Sequence, residues 1–229
     1  MQQLVKVWIN RLNSWSSFRS SSISVFSFVG CLALLMVLGW LCQEVWEKEA
    51  FSFDTIILLW IHQSATPTLD SIMLNITGLA DPLMVAVIFF GTEIWLWRKR
   101  KYLQIKVFAI ACVGGLALTV GLKLFFAKPR PQLWHQLIVE KSSSFPSGHA
   151  LGSIVVYGFL SYLLAMEFPR YSRLIFTVMT GLILLIGLSR LYLGVHWLTD
   201  VIAGYLVGFL WVITCISILK SNLSSHDGN

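Results

Sequence analysis

Polar residues of types that bind and transform anions are concentrated in three short segments of the sequence. These segments are Lys123 to Pro131, Pro146 to His149, and Ser189 to Asp200. The first and third contribute Arg130 and Arg190, and an arginine presents a planar pair of N–H donors that fits two phosphate oxygens. In the second, a helix that starts at a small residue would offer free backbone N–H groups to an anion. Together the segments predict a pocket for a phosphate group.

The third segment also contains a histidine and an aspartate four residues apart, His196 and Asp200. This spacing places both on one helix face if the last helix begins by His196. A carboxylate there would fix the tautomer of the imidazole and stabilise its positive charge. His149 is then free to act as a proton donor. The remaining histidines are expected to be structural: His62, His135 and His226.

The elements that position these residues are predicted to be membrane helices. Hydrophobic residues make up 56% of the 229-residue chain and charged residues 12%, and the mean hydropathy is +0.74. Soluble domains average about 25% charged residues. Apolar runs close to the ~20 residues that cross a bilayer recur along the chain. We therefore predict an all-α integral membrane bundle of about six transmembrane helices, forming a single domain over residues 1–229.

The apolar runs define the predicted spans, whose approximate bounds are 23–42, 82–97, 103–126, 147–166, 174–189 and 201–219. Residues 82–219 are thus a helical core that carries all three polar segments. Residues 44–81 mix apolar and polar side chains, which is typical of short amphipathic helices at the membrane interface. We expect the part from Phe51 to Asp70 to form a lid or guide at the entrance to the pocket. The tail 220–229 is expected to lack ordered structure.

Small residues predict how the fourth and sixth spans pack. Asp200, Gly204 and Gly208 repeat every four residues on the sixth, and Gly148 and Gly152 do so on the fourth. Small residues let two membrane helices approach closely. Such an approach would hold His149 and His196 at a fixed separation.

The distribution of Lys and Arg predicts the orientation of the spans. With six spans, one side holds segments 1–21 and 98–101, Arg170, Arg173 and Lys220. By the positive-inside rule that side is cytoplasmic, and both termini lie there. The opposite, extracytoplasmic side holds five further cations: Lys123, Lys128, Arg130, Lys141 and Arg190. Ionisable residues at this depth indicate a functional site.

Two other uses of this composition are not supported by the sequence. A net charge of +6 can indicate nucleic-acid binding, but most of it lies in short loops between apolar runs, so no nucleic-acid partner is expected. The cysteines all lie in or beside apolar runs and are too dispersed for a metal site. They are predicted to be small hydrophobic residues: Cys31, Cys42, Cys112 and Cys215.

In this order, and on one side of the membrane, the three segments resemble the signature of the type 2 phosphatidic acid phosphatase superfamily of membrane lipid phosphatases. That signature is Lys-x6-Arg-Pro, then Pro-Ser-Gly-His, then Ser-Arg-x5-His-x3-Asp. It is matched here by Lys123 with Arg130-Pro131, by Pro146 to His149, and by Ser189-Arg190 with His196 and Asp200. No signature position departs from the pattern, and the six-span layout extends the resemblance over most of the chain.

The resemblance implies a phosphatase that works through a phosphohistidine, with no cofactor and no metal, since side-chain cations take the place of Mg²⁺. It assigns His196 as the nucleophile, Asp200 as the residue that orients it, and His149 as the proton donor to the leaving oxygen. The phosphoryl oxygens would be bound by Lys123, Arg130, Ser147, Gly148 and Arg190. The implied partners are membrane lipids and a lipid phosphate substrate: phosphatidic acid, phosphatidylglycerol phosphate, diacylglycerol pyrophosphate or undecaprenyl diphosphate.

Three alternatives keep the pocket and change its use. The same superfamily includes vanadium-dependent haloperoxidases, but those are soluble, and this composition is not typical of a soluble protein. A lipid headgroup transferase would pass the phosphoryl or headgroup unit to an alcohol instead of water, and the sequence is compatible with that reaction. A lipid-phosphate transporter would need the cations but not His149, His196 and Asp200, whose joint presence favours catalysis.

Overall fold

The computed structural model describes residues 29–46 and 52–226. Its contacts divide the chain into two units, Met1–Trp40 and Leu41–Asn229, and every residue of the predicted pocket belongs to the second. The predicted N-terminal segment 1–21 and the start of the first predicted span lie outside the described residues.

The described part of the chain is built from α-helices and contains no strand. The helices are α1 Val29–Trp46, α2 Ser52–His62, α3 Pro67–Gly78, α4 Pro82–Arg98, α5 Tyr102–Phe126, α6 Gly148–Glu167, α7 Ser172–Tyr192 and α8 Leu198–His226. A π-helical turn over Ile154–Gly158 interrupts α6, and a 3₁₀ turn over Pro169–Tyr171 leads into α7. The predicted all-α fold class is confirmed.

Five helical stretches, formed by α1, α5, α6, α7 with its preceding 3₁₀ turn, and α8, are long and apolar enough to cross a membrane. Helices α3 and α4 meet at an angle of 44°. Taken together as one bent span, they are also long and apolar enough to cross. The resulting total of up to six spans agrees with the prediction. The predicted short helices of segment 44–81 are present as α2, which is too short to cross, and α3, which leads into the second span.

Local sequence signals set the ends of the helices that carry the site. Helix α4 starts with Pro82, whose fixed φ suits the first helical position. Helix α6 starts after Ser147, whose hydroxyl oxygen accepts a hydrogen bond from the Ala150 N–H at 3.5 Å and so caps the helix. Helix α5 ends at Phe126, and the next residue, Ala127, has a φ of 46°, in the left-handed region. These ends place the first two polar segments at the two ends of the loop between α5 and α6.

Helix α8 packs closely against the start of α6. A Cβ atom added at Gly204 would lie 2.6 Å from the Ser147 carbonyl oxygen, and one at Gly208 would lie 2.9 Å from the Leu151 carbonyl oxygen. Neither position has room for a side chain, so the predicted close approach at these two glycines is confirmed. The same prediction for Gly152 is wrong, because a Cβ atom there would meet nothing within 4 Å.

The basic loops meet at one end of the bundle. Lys99 and Lys101, which follow α4, both form ion pairs with Glu167 at the end of α6. Lys220 of α8 lies over the ring of Tyr162 in α6, 5.5 Å from its centroid. Lys99, Lys101 and Lys220, which the charge pattern assigned to one side of the membrane, therefore all contact the last part of α6.

Helix α8 continues past the apolar run as far as His226. The prediction that the tail lacks ordered structure is therefore wrong over residues 220–226. The physical reason is that a helix satisfies its own backbone hydrogen bonds whatever the polarity of its side chains. Asn222 adds a bond from its amide to the Ile218 carbonyl oxygen, at 2.8 Å.

Candidate active site

His196 lies in the turn between α7 and α8, with 1% of its surface exposed. Its Nδ1 atom is 3.5 Å from Asp200 Oδ2, and its Nε2 atom is 3.2 Å from Arg130 Nη1. One ring nitrogen therefore faces a carboxylate and the other faces a cation. The predicted pair is formed, but α8 starts only at Leu198, so the prediction that both residues lie on one helix face is wrong.

A glycine makes this turn possible. Gly194 has a φ of +69°, in the left-handed region that residues with a side chain rarely adopt. A Cβ atom there would also lie 2.5 Å from the ring of Trp134. The turn in which His196 lies is therefore tight enough to bring its backbone against the loop between α5 and α6.

Asp200 is fully buried, and its carboxylate accepts hydrogen bonds from several directions. Oδ2 accepts from the Trp197 backbone N–H at 2.9 Å and from the Ser144 hydroxyl, and Oδ1 accepts from Lys128 Nζ at 2.7 Å. The bond to Trp197 corresponds to one half of a capping box, in which a residue of the first helical turn accepts from the backbone N–H just before the helix. Because this bond turns the carboxylate back toward the residues before α8, Oδ2 of Asp200 comes to lie beside the ring of His196. Neither Ser144 nor this role of Lys128 was predicted.

The loop between α5 and α6 holds the first two cations of the site. Arg130 donates from Nη1 to the Val195 carbonyl oxygen at 2.7 Å and from Nε to the Ser142 carbonyl oxygen at 2.8 Å. Lys123 donates from Nζ to Ser142 Oγ at 3.1 Å. Both cations are therefore held in place by hydrogen bonds from the protein itself, which reduces the reorganisation needed when charge develops in a reaction. Lys141 of the same loop is exposed.

Arg190, at the end of α7, is 1% exposed and faces a carboxylate that was not predicted. Its Nη1 donates to Thr77 Oγ1 at 2.7 Å, and its Nη2 forms an ion pair with Glu140. Its Nε atom is buried and has no hydrogen-bond partner among the described residues. Glu140 Oε2 also lies 3.8 Å from Arg130 Nη2. One anionic group therefore bridges the two arginines that the sequence assigned to phosphate.

The charge of Glu140 follows from these neighbours. Burial alone would raise the pKa of Glu140, but the charge of Arg190, its hydrogen bond and the charge of Arg130 outweigh that effect. The pKa of Glu140 therefore lies below its ordinary value, and the carboxylate is ionised at neutral pH. The arginine pair therefore holds an anionic group, the partly exposed Glu140 carboxylate, and its binding of phosphate stays a prediction.

The start of α6 brings the second polar segment to the same place. The Ser147 N–H donates to the Asp200 carbonyl oxygen at 3.0 Å. The Gly148 N–H lies in the first turn, where a helix leaves donors without internal partners. A Cβ atom at Gly148 would lie 3.7 Å from Lys123 Cε, so the lysine stem passes beside this helix start. The Ser147 hydroxyl is used as the helix cap, and its binding of phosphate stays a prediction.

His149 stands where the polar site meets an apolar groove. Its Nε2 atom is 2.9 Å from Oδ1 of Asp81, a partner that was not predicted. The groove lies between α4, α5 and α6 and has a volume of about 420 Å³. Apart from its polar end at His149, it is lined mainly by apolar residues, including Phe89, Phe90, Leu116, Val155 and Val156. An alkyl chain therefore has an apolar path away from the site.

Helices α2 and α3, which include the segment predicted to form a lid, contact a site residue and the neighbour of another. Thr77 of α3 bonds to Arg190, and Asp54 of α2 bonds to Thr199, the neighbour of Asp200. The action of this segment as a lid stays a prediction. Its contacts show that α2 and α3 hydrogen-bond to Thr199 and Arg190.

The residues predicted to form the site are brought together in one connected arrangement. Asp200 and Arg130 contact the two ring nitrogens of His196. Arg130 shares Ser142 with Lys123 and shares Glu140 with Arg190. The Ser147 bond to Asp200 adds the start of α6, which carries Gly148 and His149. Their individual roles stay predictions.

Comparison with known proteins adds independent information. The sequence model of the PAP2 superfamily matches residues 102–223, which include all three polar segments. An undecaprenyl-diphosphatase of Sulfolobus acidocaldarius is 43% identical over 189 residues, which cover 77% of this chain and 84% of that protein. Phosphatidylglycerophosphatase B of Bacillus subtilis is 31% identical over 151 residues, which cover 63% of this chain and 72% of that protein.

A solved structure has the same fold. The transmembrane PAP2-type phosphatidylglycerolphosphate phosphatase from Bacillus subtilis superposes with a TM-score of 0.77 at 24% identity, over 83% of this chain and 96% of that chain. This likeness agrees with the membrane bundle described above. Because the family model covers more than half of the sequence, and a relative of 43% identity is covered over most of its length, the chain belongs to the PAP2 superfamily and is a phosphatase of the class that its motifs predict.

Proposed function

We propose that the chain is a metal-independent phosphatase of lipid phosphates or lipid diphosphates that forms a phosphohistidine on His196. The observation that carries this proposal is the position of the His196 ring, with Nδ1 3.5 Å from Asp200 Oδ2 and Nε2 3.2 Å from Arg130 Nη1. Arg130 donates to Nε2, so Nε2 carries the lone pair and Nδ1 carries the proton. The nucleophilic nitrogen therefore points at the cations that would hold a phosphoryl group.

In the first step of this mechanism, the lone pair of His196 Nε2 forms a bond to phosphorus as the bond from phosphorus to the lipid oxygen breaks. His149 gives its proton to the leaving oxygen. Asp200 stabilises the positive charge on the His196 ring. The phosphoryl oxygens are bound by Lys123, Arg130, Ser147, the Gly148 N–H and Arg190, whose combined positive charge serves where other enzymes use a metal ion.

In the second step, a water oxygen attacks phosphorus and the bond to nitrogen breaks, so that its electron pair returns to His196 Nε2. The proton of the attacking water passes to His149, which restores the starting state of both histidines. Inorganic phosphate is released. If an alcohol attacked in place of water, it would receive the phosphoryl group and the enzyme would be a transferase.

The proposed substrate is an amphiphile with a phosphate group and a long apolar tail. The groove starts at His149, the proposed donor to the leaving oxygen, so a lipid whose phosphate reaches His196 can place the start of its tail between α4, α5 and α6. Two relatives are named for phosphatidylglycerophosphate and undecaprenyl diphosphate, which are lipids of this kind. Phosphatidic acid and diacylglycerol pyrophosphate share the same chemistry.

The proposed orientation puts the site at the extracytoplasmic face and both termini in the cytoplasm. Its support is the cluster of basic loops at the far end of the bundle from His196, where Lys99 and Lys101 meet Glu167. Such loops are retained on the cytoplasmic side. The lipid phosphates hydrolysed would then be those of the outer leaflet.

Phosphate release from a panel of lipid monophosphates and diphosphates tests the function. We expect the protein purified in detergent to release inorganic phosphate from at least one of them, at the same rate with and without EDTA. Binding of the lipids without release would favour the transporter. Phosphoryl or headgroup transfer to an added alcohol in preference to water would favour the transferase, and loss of activity in EDTA would contradict metal independence.

A leucine at position 152 is expected to separate lipid substrates from soluble ones. Gly152 lines the groove and has no atom within 4 Å of an added Cβ, so the new side chain fills the groove without displacing a helix. We expect Gly152→Leu to raise KM for a long-chain lipid phosphate about tenfold, corresponding to displacement of two methylene groups at ~0.8 kcal/mol each. Hydrolysis of a short-chain, water-soluble phosphate should be unchanged.

The matched control is Gly181→Leu. Gly181 of α7 also has nothing within 4 Å of an added Cβ, but it does not line the groove. This variant should leave KM unchanged for both substrates. Equal losses on the lipid and the soluble substrate in Gly152→Leu would contradict a tail in the groove.

A further inference from the structure

Asp54 of helix α2 is a buried carboxylate that the mechanism above does not use. Only 2% of the surface of Asp54 is exposed. Oδ1 accepts the Thr199 backbone N–H at 3.0 Å, and Oδ2 accepts the Thr199 hydroxyl at 2.7 Å. A carboxylate is costly to bury unless it is hydrogen-bonded and paired with a cation. Both of these bonds lead to the residue immediately before Asp200.

Hydrogen bonds continue from Asp54 to the proposed nucleophile. The Thr199 hydroxyl accepts from Lys128 Nζ at 3.1 Å, and the same ammonium donates to Asp200 Oδ1 at 2.7 Å. Asp200 Oδ2 lies 3.5 Å from His196 Nδ1. The Lys128 side chain is 13% exposed, and the other residues of this set are at most 2% exposed. Little water is therefore available to screen their charges from one another.

The charges in this set indicate what Asp54, the second carboxylate beside Asp200, contributes. Asp200 has to stabilise a positive His196, yet Lys128 offsets part of its negative charge. Asp54 is separated from that ammonium by a single hydroxyl group. Burial raises the pKa of Asp54 above its ordinary value, although the two hydrogen bonds from Thr199 and the charge of Lys128 act in the opposite direction. With both carboxylates ionised, the side chains of Asp54, Lys128 and Asp200 together carry one net negative charge. That is the charge needed to balance an imidazolium in a buried site. Arg130 faces the other ring nitrogen and belongs to the phosphate side.

We propose that Asp54 is a positioning residue for the reaction: acting through Thr199 and Lys128, it holds Asp200 in place and keeps the charge of Asp200 available to His196 while the phosphohistidine forms. This inference rests on the proposed mechanism and adds to it a residue from α2, which lies outside the signature motifs. Asp54 does not contact the phosphate pocket, so its loss should slow the chemical step and leave substrate binding intact.

The test is Asp54→Asn, which keeps the shape of the side chain and one acceptor but removes the charge. With a ³²P-labelled substrate from the panel, rapid-quench kinetics give the rate of phosphohistidine formation, and steady-state kinetics give KM. We expect the rate of formation per active site to fall about tenfold, as is usual when a partner behind a site group is removed. KM should stay within about twofold of the wild-type value.

The matched control is Asp70→Asn. Asp70, on the neighbouring helix α3, accepts a hydrogen bond from the Tyr192 hydroxyl at 2.5 Å and is not part of this set. Its loss should leave the rate of phosphohistidine formation at the wild-type value. The proposal is overturned if Asp54→Asn and Asp70→Asn behave alike, or if Asp54→Asn lowers only the yield or unfolding temperature of the protein.

If Asp54→Asn does not fold, two variants of Thr199 test the proposed role of Asp54. Thr199→Val removes the hydroxyl between Asp54 and Lys128 and keeps the backbone bond to Asp54, so it should also slow phosphohistidine formation, and Thr199→Ser should restore it. A wild-type rate in Thr199→Val would overturn the proposal. Absence of any phosphohistidine in the wild-type protein would instead overturn the mechanism on which the proposal rests.

Discussion

His196→Ala is expected to abolish both phosphate release and the covalent phosphoenzyme, with a loss of at least about a thousandfold in kcat. The ring of His196 is 1% exposed, and its Nε2 atom lies 3.2 Å from Arg130 Nη1. No alanine side chain can reach that position or carry a lone pair to phosphorus. The cations would remain, so the variant should still bind the lipid phosphate.

The measurement is incorporation of ³²P from a labelled lipid phosphate into the protein, quenched in alkali to preserve the bond between phosphorus and nitrogen. His135→Ala is the matched control, because His135 lies exposed in the loop between α5 and α6. It should be labelled as the wild type is. Labelling that persists in His196→Ala would show that another residue is the nucleophile.

The buried position of His196 also predicts how labelling depends on pH. Burial lowers the pKa of His196 to about 3, and the charges of Arg190 and Arg130 act in the same direction, while Asp200 opposes them. The ring is therefore neutral and nucleophilic well below the ordinary pKa of about 6.5. We expect single-turnover labelling to persist at pH 5. A loss of labelling with its midpoint near pH 6.5 would contradict this environment for the nucleophile.

The same shift has a consequence for stability. Below about pH 6.5 the unfolded chain binds a proton at this histidine, whereas the folded chain does so only near pH 3. Between these values the unfolded state holds more protons. The contribution of His196 to the free energy of unfolding therefore decreases as the pH falls through this range.

The helices could be predicted because bilayer thickness sets the length of an apolar run. Helices α4 and α5, Pro82–Arg98 and Tyr102–Phe126, end within a residue of the predicted spans, since charged or turn-forming residues interrupt the run at those points. The end of α8 could not be predicted in this way. Beyond the apolar run nothing in the pattern distinguishes a polar helix that continues to His226 from a polar tail.

The residues that come together at the candidate site could also be predicted, because arginine, lysine and histidine at membrane depth are unusual enough to indicate chemistry by their type. Ser144, Glu140 and Asp54 could not. Their partners lie 56, 50 and 145 residues away in the sequence, so these contacts depend on the path of a loop and the placement of α2. In the sequence alone, Asp54 resembles the polar face of an interfacial helix.

The pairing of His196 with Asp200 was predicted for a reason that the structure corrects. A separation of four residues brings two side chains together on a helix, but His196 precedes α8. Asp200 reaches back to the Trp197 N–H at 2.9 Å, as a capping residue does, and this brings its carboxylate to Nδ1 of His196. The same carboxylate therefore caps α8 and faces the ring of the proposed nucleophile.

Asp200→Asn should accordingly have an effect second only to the loss of His196, with phosphohistidine formation slowed about 10³- to 10⁴-fold, as when the aspartate of a catalytic triad becomes asparagine. Lys128, Ser144 and the Trp197 N–H all donate to this carboxylate. An amide has one acceptor atom, so one of these donors would face an N–H group. The variant also breaks a buried ion pair by removing one partner, and it should lower the free energy of unfolding by about 3 kcal/mol, the lower end of the range for such a change, because Asp54 still lies near the Lys128 ammonium.

Rapid-quench labelling and thermal unfolding of the same samples measure both effects. Ser144→Ala is the informative comparison, because it removes one donor to Asp200 but keeps the carboxylate and its charge. We expect it to slow labelling only about tenfold, the value of one hydrogen bond to a charged group. If the two variants were equally slow, the geometry of Asp200 would be what matters. A much larger loss in Asp200→Asn would assign the effect to its negative charge, which is what a histidine that becomes positive on phosphorylation requires.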